Sequence, residues 1–82
     1  MKSVGTFVSE ELAVRKRVVA ASRNTAGYAA IYPALARDVV AKYPDLSAEE
    51  KAAVSSTLKS DAASLGHNAT TAMQEVVRIL GS

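Results

Sequence analysis

Residues 43–68 read YPDLSAEEKAAVSSTLKSDAASLGHN, and this stretch settles the fold class. Pro44 lacks an amide proton, so it ends whatever helix precedes it. Ser47 and Glu50 have the spacing of a capping box, in which the hydroxyl accepts from the Glu50 amide and the carboxylate accepts from the Ser47 amide. A helix is therefore expected over 48–65. Val54, Leu58, Ala62 and Leu65 recur in it as one stripe on a 3.6-residue period, with Lys51, Ser55 and Lys59 beside the stripe or opposite it. Gly66 supplies a left-handed stop. Asn68 or Thr70 then caps a last helix over 69–80, where Ala69, Met73, Val76 and Leu80 form a second stripe and Val77 widens it. With about three residues between them, the two helices should fold back as an antiparallel hairpin.

The N-terminal half follows less directly. Ser9 followed by Glu10 and Glu11 reads as a helix start, with a hydroxyl for the free amides and carboxylates at the positive end of the helix dipole. The helix expected over 9–23 has two apolar edges, Leu12 with Val19 and Val14 with Val18 and Ala21. Between them runs a polar strip of Glu11, Arg15 and Ser22, in which Glu11 and Arg15 have the order that favours an intrahelical pair. Such a helix contacts two neighbours, with Arg15 near the seam and Lys16 and Arg17 pointing away from it. Asn24 and Gly27 mark a break. Tyr28, Ile31, Leu35, Val39 and Tyr43 then define a second helix over 26–43, bent where Pro33 removes an amide. Residues 1–8 fit a flexible tail, a short strand through Val4, Thr6 and Val8, or an upstream extension of the first helix through Val4, Phe7 and Val8.

Read together, these patterns specify one all-α domain over 1–82, a small bundle of about four helices with a C-terminal antiparallel helical hairpin and a Pro-bent second helix. Composition agrees, with 49% hydrophobic and 22% charged residues, the balance of a chain that folds. Sixteen alanines hold much of that hydrophobic share and bury little area apiece, so a chain this short gains from pairing with a copy of itself or with a partner. There is no cysteine for disulfides or thiolate metal sites, which fits the cytoplasm. Glu10, Glu11 and Arg15–Arg17 interrupt any secretory core, and no run has the length of a membrane span. Without secretion the acceptor pattern Asn68–Ala69–Thr70 carries no glycan, and Asn68 reads as a cap.

The chemistry of catalysis is missing from the sequence. His67 is the single histidine and stands in a turn, Glu49 and Glu50 are consecutive in a helix first turn, and Gly5, Gly27, Gly66 and Gly81 are isolated. The expectation is no enzyme, no metal and no cofactor. Charge is the distinctive feature: residues 1–42 hold seven cations against three carboxylates, and residues 43–82 hold three against five. Arg15, Lys16, Arg17 and Arg23 form the expected partner-binding group.

Two sequence patterns bear on a nucleic-acid partner for these cations. A helix-turn-helix register on Ala62 and Gly66 fails, because Ala72 takes the third position and Glu75 falls where a buried residue belongs. A ribbon-helix-helix register would present Ser3, Gly5 and Phe7 to base edges, two of which offer no side-chain hydrogen bond. The expected function is thus a non-catalytic protein–protein interaction module of adaptor, regulator or inhibitor type, as in accessory proteins of phages and mobile elements. It binds a larger partner through its basic N-terminal face and has the option of homodimerisation. A small DNA-binding regulator with a basic first helix is the alternative.

Overall fold

The computed structural model describes residues 2–23 and 27–81 of the chain, with the His67 and Asn68 side chains outside the description. The break at Asn24 and the ring of His67 therefore fall outside the described parts. The remainder is all-α: α1 (Val4–Ser22), α2 (Gly27–Lys42), α3 (Ala48–Ala62), a 3₁₀ segment (Ala63–Ala69) and α4 (Thr70–Leu80). The radius of gyration, 12.1 Å, matches the roughly 12 Å expected of a folded chain this long.

Helix α1 begins upstream of the expected Ser9. Ser3 is extended and its hydroxyl accepts from the Thr6 amide at 3.2 Å, so the true cap lies six residues earlier. Residues 4–8 are a helix extension and neither strand nor tail. They bring Val8 to full burial and pack Val4 and Phe7 against the core. The extension is anchored to the end of α2: the Phe7 and Tyr43 rings lie 5.6 Å apart, the Lys42 ammonium sits over Phe7, and the Tyr43 hydroxyl donates to the Lys2 carbonyl. At its other end α1 stops at Arg23, whose φ of 59° is left-handed without being glycine.

Helix α2 runs through Pro33 with helical residues on both sides. Its buried face is Ile31, Tyr32, Leu35, Ala36 and Val39, broader than the expected stripe by Tyr32 and Ala36. Helix α3 starts with the expected capping box, both bonds present at 3.0 and 3.1 Å. Its α-helical part ends at Ala62, three residues early, and 3₁₀ turns carry Leu65 onto the core. Gly66 breaks them with φ 60° and ψ −134°, a conformation that glycine alone adopts without strain. Ser55 belongs to the buried set of α3, at 3% exposure, because Val54 and Leu58 on either side of it draw that face inward. The N-cap of α4 is Ala69 and not the expected Asn68 or Thr70, because the 3₁₀ turns continue through 69 and Thr70 is already helical; Gly81 closes the helix in the left-handed region. In α4 the buried positions are Ala72, Val76 and Leu80, while Val77, expected to widen the stripe, stands at its exposed margin.

The helix directions follow from the pairs that touch. Phe7 meets Tyr43 and Arg15 meets Asp38, so α1 and α2 are antiparallel. Lys16 meets Asp61, and Leu12 shares a groove with Thr57, so α1 and α3 run the same way. The tight connection turns α4 back along α3, as the hairpin reading required, which leaves α2 and α4 parallel. The α2–α4 contact is the most extensive in the molecule, and among the described residues α1 and α4 do not meet. Around the bundle the neighbour order is α1, α2, α4, α3, and the core fills the centre with Val8, Leu12, Leu35, Val39, Leu58, Val76 and Leu80.

Candidate functional site

The four cations singled out in the sequence all belong to α1 or its cap, and the fold divides them into two pairs with different surroundings. Arg15 is half-buried at the α1–α2 seam, as the polar-strip reading placed it. Its Nε donates to Glu11 Oε1 at 3.1 Å within α1, and its terminal nitrogen donates to Asp38 Oδ2 on α2. Burial works against the guanidinium charge, but the hydrogen bonds it donates to Asp38 and Glu11, with the negative charge of those carboxylates, outweigh it and raise the pKa. Arg15 is thus a clamp between two helices.

Lys16 does not point away from the bundle. Its Nζ donates to both carboxylate oxygens of Asp61 on α3, at 3.0 and 3.2 Å. The same carboxylate accepts the Tyr32 hydroxyl from α2 at 2.7 Å, so Asp61 joins three helices. Tyr32 is only 2% exposed. Its phenol is held well above its ordinary pKa, first by burial and then by the hydrogen bond to Asp61 and that group's negative charge. Nothing local in the sequence announces this network, because Lys16 and Asp61 are 45 residues apart. Ser9, Ser56, Thr57 and Ser60 line an open groove beside it.

Arg17 and Arg23 differ from these two. Both are exposed, and neither makes an ion pair among the described residues. Arg17 has apolar company: Val14, Arg17, Val18 and Ala21 fall within a sector of about 100° of the helix. The Val14–Val18 edge, expected to contact a second neighbour, is not buried. In the fold Val14 is 44% and Val18 is 63% exposed, because the upstream extension through Val4 and Val8 gives the core its stripe on the other edge, with Leu12 and Val19. The outer surface of α1 therefore combines an apolar stripe with one unpaired arginine on it and a second at its C-terminal end.

Among the described residues no three His, Cys, Asp or Glu side chains gather as metal ligands would. No helix of the described residues is long and apolar enough to cross a membrane. Neither a protein-family model, nor a curated protein, nor a solved structure matches this chain.

Proposed function

We propose that this chain is a non-catalytic, cytoplasmic protein-interaction module of the adaptor, regulator or inhibitor type, docking on a larger partner through the outer face of α1. One observation carries the reading: Val14 and Val18, the two most exposed large apolar residues in the described structure, lie one turn apart with unpaired Arg17 on the same face. Burying two valines contributes roughly 3–4 kcal/mol, and Arg17 and Arg23 favour a partner whose rim is acidic. Arg15 and Lys16, spent in internal pairs, serve by holding α1 in place. A second copy of the chain is the other protein partner this face would accept.

The test compares wild type with Val14→Ser/Val18→Ser and with Arg17→Glu/Arg23→Glu in pull-downs from the native host, alongside helicity and melting. A partner held by wild type and lost by both variants, with folding unchanged, supports the reading. Equal retention by all three overturns it. Gel shifts with random duplex at two ionic strengths address DNA. Two unpaired arginines give a logarithmic salt slope no steeper than about −2, and a markedly steeper slope would replace this reading with the nucleic-acid one.

A further inference from the structure

A second feature lies apart from the α1 face and needs none of the preceding reading. The C-terminal half of α3, the 3₁₀ turns and α4 enclose an open cleft of about 570 Å³, within the range of small-molecule sites. Its floor is built of small residues, Ala62, Ala63, Gly66 and Ala69, and its wall of Met73 and Val77. Gly66 has no heavy atom within 4 Å of where a side chain would begin, so the cleft is open at that point. Val77 is one of the exposed apolar residues that the core does not use, and Met73 has the unbranched flexibility to mould to a guest. Polar groups stand around the apolar floor: Thr70, Gln74 and Lys59.

Lys59 decides the sign of the guest. Among the described residues it is the one charged member of the lining and makes no ion pair. Along α4 the lining runs from Thr70 to Val77, about 10 Å at 1.5 Å per residue. We propose that this cleft binds a small amphiphilic carboxylate, with an apolar body about 10 Å long on the alanine floor and the carboxylate against Lys59. Among the described residues α1 does not meet α4 and contributes no residue to the cleft, so such a ligand and a protein on the outer face of α1 would occupy separate surfaces.

The experiment is an amide-resolved NMR titration of the whole chain with monomeric decanoate, and with decyltrimethylammonium as the matched cation. Decanoate should shift Ala62, Ala63, Gly66, Thr70 and Met73, and leave Val14 and Val18 unmoved; the cation should bind more weakly. Lys59→Glu, at an exposed position, should weaken decanoate about fivefold or more. Ala63→Trp, which fills the cleft, should abolish it. Equal affinity for the two amphiphiles, shifts centred on α1, or unaltered decanoate binding by Lys59→Glu would each overturn the proposal.

Discussion

Replacing Tyr32 with phenylalanine removes one oxygen from the point where α1, α2 and α3 meet, and the structure fixes what that costs. The hydroxyl donates at 2.7 Å to a carboxylate, and hydrogen bonds to charged partners contribute about 1.5–3 kcal/mol. Asp61 keeps both contacts from Lys16 and some access to solvent, so the acceptor is not stranded and the loss should fall near the lower figure, about 1.5 kcal/mol at pH 7. The Asp61→Asn protein should lose more, since the Lys16 charge is then unpaired as well as the Tyr32 bond weakened. Folding raises the Tyr32 pKa, so the native state keeps its proton where the unfolded chain releases it near pH 10. The unfolded state then binds fewer protons, and this residue's contribution to stability falls as pH rises above 10. With the native phenol still protonated at pH 11, the loss relative to pH 8 is about 1.4 kcal/mol. Urea titrations of wild type and Tyr32→Phe at pH 7, 8, 10 and 11 measure both effects. The two proteins should converge at alkaline pH. Curves that stay parallel from pH 8 to 11, or a cost under about 0.5 kcal/mol at pH 7, would mean that the Tyr32–Asp61 bond does not tie the three helices together.

Three further outcomes follow from the local geometry. Ser47→Ala removes half of the α3 capping box and should cost about 1 kcal/mol by denaturant titration, with Ser47→Gly milder. Arg23→Gly relieves a left-handed conformation at the α1 terminus and should raise stability by about 1 kcal/mol, measured as an upward shift in Tm. Leu58→Ala opens a void at a position with no exposure, in the centre of the core, and should cost about 2–5 kcal/mol, enough to leave much of a small domain unfolded by circular dichroism.

The C-terminal half was legible because its signals are local. Ser47 and Glu50 specify each other across three residues, and Val54, Leu58 and Ala62 can only share a face if the chain is helical. The start of α1 was not, because Ser3 is followed by the weak helix formers Val4, Gly5 and Thr6, whereas Ser9 precedes Glu10 and Glu11, carboxylates that suit a first turn as well as the mid-helix pairing they make. That misplacement had a consequence for the site. A helix read from Ser9 shows two apolar edges of equal claim, and only with Val4 and Val8 added does one edge become the core and the other, Val14 with Val18, the surface. The Glu11–Arg15 pair was visible as a spacing of four. The attachment of Lys16 to Asp61 and of Arg15 to Asp38 was not, since it depends on which helices become neighbours.

That neighbour order also bears on self-association. The chain consists of two consecutive helical hairpins, and its largest seam, α2 against α4, lies between them. A short link through Pro44 and Asp45 is all that holds the halves to one another covalently. If that link straightened, two molecules could trade C-terminal hairpins and rebuild the α2–α4 seam in each half, so such an exchange would need no surface that the monomer does not already bury.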